Sequence, residues 1–119
     1  MREEVHISPV LGVRRNGDAV IADVVGDVNL NCGSEFQKSL LSLLNGPGKA
    51  PSCILVNLSQ VGYIDSSGVA SLVKLLAKAK HAGVPLWLVG LNERVRSVFE
   101  ITRLDRIFQI AASEKEALG

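Results

Sequence analysis

At 119 residues the chain has the length of one domain, and its 47% hydrophobic content is enough to bury a core without metal or disulfide staples. Lys and Arg number 13 against 12 Asp and Glu, so a formal charge of +1 provides no general pull toward nucleic acid or anionic lipid. No apolar run reaches the roughly 18 to 20 residues that cross a bilayer, the start MREEVHISPVLGVRR lacks a signal peptide's unbroken apolar stretch, and Cys32 and Cys53 show no CxxC spacing. Cytoplasmic residence without membrane insertion is the expectation.

Val5 to Val13 carries Pro9, which lacks a ladder donor and suits an edge strand. Asn16-Gly17-Asp18 predicts a hairpin turn into an antiparallel second strand, Ala19 to Val25, closed by Gly26-Asp27. Ser34 and Gln37 have capping-box spacing, and Phe36, Leu40, Leu43 and Leu44 fall on one face of a first helix that Gly46 and Pro47 stop. Cys53 to Val56 is apolar on both alternating faces, as a central parallel strand would be, with polar Asn57 marking its end.

From Ser67 to Ala82 the apolar positions Val69, Leu72, Val73, Leu76 and Ala79 repeat at helical spacing, with Lys74, Lys78 and His81 opposite and Gly83 as the C-terminal cap. Val84 to Val89 reads as a buried strand with Pro85 at its start, and Asn92 caps a third helix containing Val95, Val98, Phe99 and Thr102. Ile107 to Ile110 predicts a short last strand, and Ser113 with Glu116 a capping box opening a terminal turn through Leu118. The order β-β-α-β-α-β-α-β-α predicts an α/β fold with a mixed sheet: an N-terminal hairpin, then βα units with right-handed crossovers and about four helices. Residues 1–119 read as a single domain without repeat, low-complexity tract or linker.

Most catalytic chemistry fails at the level of motifs. Gly48-Lys49 is followed by Ala50 and preceded at the required spacing by Leu43, so there is no phosphate loop, and no GxGxxG marks a dinucleotide site. His6, Cys32, Cys53 and His81 are too scattered for a metal cluster. His81 lies some 20 Å along the same helix from Ser66 and Ser67 at about 1.5 Å rise per residue, which excludes a serine–histidine hydrogen bond, and the GxSxG elbow is missing. Arg94, Arg96, Arg103 and Arg106 alternate with Glu93, Glu100 and Asp105 without an aromatic platform, the pattern of a solvated face. No catalytic residue, metal or cofactor is expected.

What remains is VGYIDSSGV, Val61 to Val69, with Asp65, Ser66, Ser67 and Gly68 between an apolar strand and a helix. Asp65 or Ser66 as N-cap would accept a bond from an unpaired backbone N–H, worth about 1 kcal/mol. The same geometry suits a phosphoserine, whose added charge of roughly −1.5 to −2 beside Asp65 would favour partner release over internal rearrangement. Both readings stand on these residues alone.

Four stretches in order, GDVNL, ILVNLSQVGYIDSSGVASL, AGVPLWLVG and VRSVFEITRLDRIFQIAASEKEAL, resemble the STAS domains, and within them the bacterial anti-sigma factor antagonists; the match runs over 18–118. The resemblance implies phosphorylation of Ser66 by a partner that is both anti-sigma factor and serine kinase. It also implies that the unphosphorylated form binds that partner and frees a sigma factor, and that a PP2C-type phosphatase restores it. Asp27, Asn29, Asp65, Ser67, Gly68, Ser71 and Leu75 are the expected flanking or partner-binding residues, Leu75 having the angle of peripheral core as well. An alternative within the family is a STAS subunit of a lipid-transporting ABC complex, acting without phosphorylation. Two positions depart from the family pattern: Asn29 stands where an acid is common, and Arg103 where glycine is common, at a cost of about 1 kcal/mol if a left-handed helix end persists there.

Overall fold

The computed structural model of the chain describes residues 10–28, 33–44 and 51–118. Strands β1 (Val10–Asn16) and β2 (Ala19–Val25) are followed by α1 (Gly33–Ser42), β3 (Cys53–Gln60), α2 (Ser66–Ala82), β4 (Leu86–Val89), α3 (Glu93–Ile101), a 3-10 turn (Leu104–Arg106), β5 (Gln109–Ala111) and α4 (Glu114–Leu118). The sheet runs β1-β2-β3-β4-β5, antiparallel between β1 and β2 and parallel elsewhere, as the mixed α/β reading expects.

Alternation along the strands divides the interior. Val20, Ala22 and Val24 of β2, Ile54, Val56 and Leu58 of β3, and Leu86 and Leu88 of β4 face a core shared with α1, α2 and α3. The other parity, Ile21, Leu55, Val89 and Ala111, faces a smaller cluster partly covered by Ala117 of α4. Strands carrying apolar residues at both parities need cover on both faces, which is why β3 reads as an unbroken apolar run.

Several element ends differ from the sequence reading. Strand β1 continues to Asn16, because Arg14, Arg15 and Asn16 keep their partners Ile21, Val20 and Ala19 up to the turn; Val5 to Pro9 lie outside the described residues. Asn57 does not end β3: its amide donates to Asp23 at 2.8 Å, its own oxygen accepts from the Ser59 N–H at 3.1 Å, and pairing continues to Gln60 opposite Val25. Strand β4 starts at Leu86, after Pro85, whose carbonyl nonetheless accepts from the Ile54 N–H at 2.9 Å.

The last strand is shifted to Gln109–Ala111. Arg103 takes a left-handed conformation at φ 64°, the 3-10 turn then uses Leu104 to Arg106, and the Phe108 N–H still bonds back to the Leu104 carbonyl at 3.1 Å. The left-handed end that glycine would favour therefore persists under an arginine. Asn92 caps α3 as expected, accepting from the Val95 N–H at 2.8 Å. At α4, Ser113 accepts from the Glu116 N–H at 3.2 Å, but the Glu116 carboxylate takes the N–H of Ala112 and leaves that of Ser113. The proposed box at Ser34 and the stop at Gly46 and Pro47 lie outside the described side chains and residues.

On the second sheet face Arg14 forks between Asp23 of β2 and Glu114 of α4, bonding both carboxylates and tying the hairpin to the C-terminal helix. The guanidinium holds Asp23 below the ordinary carboxylate range, against partial desolvation. Arg14 is half-exposed, so the tie orients α4 more than it stabilises the fold. No helix among the described residues is long and apolar enough to cross a membrane.

Candidate functional site

The site forms where the chain leaves two adjacent parallel strands. Past β2, the Gly26 N–H donates to the Gln60 carbonyl at 3.2 Å and the Val28 N–H to the Tyr63 carbonyl at 2.9 Å, while the Asp65 N–H returns to the Val28 carbonyl at 3.0 Å. This extension of the ladder seats Val28 against Ile64, both buried, and sets Asp27 beside Gly62, where an added Cβ would come within 3.3 Å of an Asp27 oxygen. Asp27 is thereby brought to the loop that carries Asp65 and Ser66.

Asp65 is the N-cap of α2. Its extended backbone (φ −105°, ψ −175°) turns one carboxylate oxygen onto the N–H groups of Ser67 at 2.9 Å and Gly68 at 3.2 Å, satisfying two donors that a helix start leaves open. The same oxygen accepts the Ser67 hydroxyl at 2.6 Å. Ser66, one residue earlier, is exposed, and its hydroxyl has no hydrogen-bond partner among the described residues. Two neighbouring serines thus differ in state: one hydroxyl is engaged in the cap and the other projects to solvent.

Gly68, Ser71 and Leu75, read from the sequence as a flank for close approach by a partner, face inward. Ser71 is 3% exposed and Leu75 fully buried, the Ser71 hydroxyl donating to the Ser67 carbonyl at 3.1 Å. The close approach that Gly68 allows is internal: a Cβ there would lie 2.5 Å from Val28 Cγ1 and 2.7 Å from Ile64 Cγ1. Helix α1 packs against α2. The surface that α2 does present runs through Ser66, Ala70, Lys74, Ala77 and Lys78, with Tyr63 also 42% exposed just before the cap. Lys74 and Lys78 lie opposite the apolar stripe as the sequence spacing expects, and helical phase counted from Ser66 adds Ala70 and Ala77 to the same arc.

Gly68→Ala tests the packing. Helix propensity alone would favour alanine by about 1 kcal/mol. The two clashes involve fully packed branches and cost about 1 to 3 kcal/mol by overpacking, so the melting temperature is expected to fall. A rise would show that Val28 and Ile64 yield.

Among the described residues the one histidine, His81, sits at the far end of α2, about 22 Å from Ser66 along the axis, out of reach of its hydroxyl. Among the described residues no three His, Cys, Asp or Glu side chains come together as metal ligands. Asn29 lies outside the described residues. Two open clefts flank α4, the larger of about 430 Å³ and lined by Asn57, Ser59, Gly90 and Ser113 among others; neither is lined by any residue from Asp65 to Gly68.

A family model described as STAS domain matches residues 11–117. The TM1081 homologue of Thermotoga neapolitana, an anti-sigma factor antagonist by name, is 36% identical over 102 residues, covering 85% of this chain and 88% of that protein. The anti-sigma-B factor antagonist of Bacillus subtilis is 26% identical over 103 residues, 87% of this chain and 91% of that one. The crystal structure of TM1081 from Thermotoga maritima superposes with a TM-score of 0.81 at 30% identity, covering 91% of each chain.

Proposed function

The chain belongs to the STAS domain family, among its anti-sigma factor antagonists, and on that premise we propose that it is a binding module switched by phosphorylation of Ser66. Unphosphorylated, it binds an anti-sigma factor that is also a serine kinase, and so releases a sigma factor. The kinase transfers the γ-phosphoryl group of ATP to Ser66 Oγ, whose proton leaves to a base of the kinase, and ADP departs. Hydrolysis by a PP2C-type phosphatase restores the hydroxyl. The chain is a substrate in this cycle and supplies no catalytic group; it acts in the cytoplasm as one STAS domain.

The observation that carries the reading is the unequal state of the two serines. Modification needs a hydroxyl that a kinase can reach, and Ser66 offers one while Ser67 is bonded to Asp65. The N–H groups of Ser67 and Gly68 are already occupied by Asp65, so a phosphate on Ser66 would have to compete for them or project outward beside that carboxylate. The added charge of about −1.5 to −2 then falls on the contact surface and leaves the fold intact.

Mixing the purified chain with the serine-kinase anti-sigma factor of its own genome and ATP is expected to add one phosphate, read by intact mass. Ser66→Ala should take none, and Ser67→Ala should still take one. No uptake by the wild type, or equal uptake by Ser66→Ala, rejects the proposal. Co-purification with an ATPase or permease in place of an anti-sigma factor would point to the transport-complex role.

A further inference from the structure

Helix α2 carries no acidic residue over its 17 positions. At about 100° per residue, Ser66, Ala70, Lys74, Ala77, Lys78 and His81 fall within one arc of roughly 120°, all of them exposed. Lys74 and Lys78 form no ion pair or hydrogen bond among the described residues. Favourable charge at a helix C-terminus accounts for Lys80 in the last turn but not for these two, which lie about 12 and 18 Å along the axis from Ser66. The opposite end of the same surface is acidic, with Asp65 at the cap and Asp27 alongside Gly62.

We propose that this face recognises its partner by charge: Lys74 and Lys78 engage carboxylates on the docked anti-sigma factor. The inference rests on the proposed function and adds the residues that orient and select the partner. Carboxylates opposite the two lysines would fix which way round the partner sits over Ser66. Attraction of this kind acts mainly on encounter rate and register, and salt weakens it. An anionic membrane is the poorer occupant, because the outward apolar positions of α2 beside the lysines are Ala70 and Ala77, too small to anchor in lipid.

Binding of the same anti-sigma factor is measured first with wild type, so that absence of binding there rejects the proposed function, and this inference with it, before any variant is read. Given wild-type binding, Lys74→Glu/Lys78→Glu is expected to raise Kd about 30-fold at low salt and under about 3-fold at high salt. Lys74→Gln/Lys78→Gln should fall between wild type and the reversed pair. Arg94→Glu/Arg106→Glu, with the same change in net charge on exposed positions elsewhere, should stay within about 2-fold. Unchanged affinity in the lysine variants, or equal loss in the arginine pair, overturns the proposal. Wild-type binding to vesicles of about 30% phosphatidylserine that the lysine reversal abolishes would reassign the face to lipid. A wild-type dimer that the same reversal dissociates would reassign it to a second copy.

Discussion

Ser66→Asp is expected to weaken binding of the anti-sigma factor about 100-fold, close to 3 kcal/mol. The substitution places a carboxylate on an exposed position directly after Asp65, whose own charge is held at the helix start by the Ser67 and Gly68 N–H groups. A docked partner would have to bury that second charge, and a buried charge without a cation costs several kcal/mol. Aspartate at this helix start should leave stability almost unchanged, because negative charge is favourable there. Equilibrium binding and a thermal melt on the same samples separate the effects. A Kd within about 3-fold of wild type, with the melt unchanged, would show that Ser66 lies outside the contact.

Phe99→Ala is expected to cost about 3 to 5 kcal/mol, the upper range for a large buried side chain, and to lower the melting temperature by about 15 °C for a chain of this length. Phe99 is fully buried, and its ring meets Phe108 edge to face with centroids 5.5 Å apart. That contact joins α3 to the start of β5 across the left-handed residue Arg103, so the loss should be felt first at β5 and α4. Hydrogen exchange resolved by residue would place the fastest openings there. A drop below about 5 °C would mean that the cavity closes by collapse.

Helix α2 was legible because its apolar period is long and its ends carry Asp65 and Gly83, the latter at φ 75°. The sheet's mixed character followed from Asn16-Gly17 and from the doubly apolar Cys53 to Val56. The ends of β3 and β5 were harder for physical reasons. Asn57 looks like a terminator by type, yet it is tied across the sheet to Asp23, a partner 34 residues earlier. Ile107 looks like a strand start, but the turn enforced at Arg103 delays pairing to Gln109.

The site was legible in part. Asp65 and Ser66 could be located from a strand followed by a polar link and a helix, while the division of roles between Ser66 and Ser67 depends on where one carboxylate oxygen points. Leu75 had the angle of peripheral core and is buried in it, whereas the burial of Ser71, polar by type, is not marked by the apolar period of α2. The fork of Arg14 onto Glu114 joins residues 100 apart and left no trace in spacing.

The bond from Ser67 to Asp65 also bears on counting. With one hydroxyl committed to the cap, a pair of adjacent serines offers a single reactive group, so each molecule would be either wholly modified or wholly unmodified. On the proposed reading, the strength of a signal is then carried by the fraction of molecules converted, and the ratio of kinase to phosphatase flux sets that fraction directly.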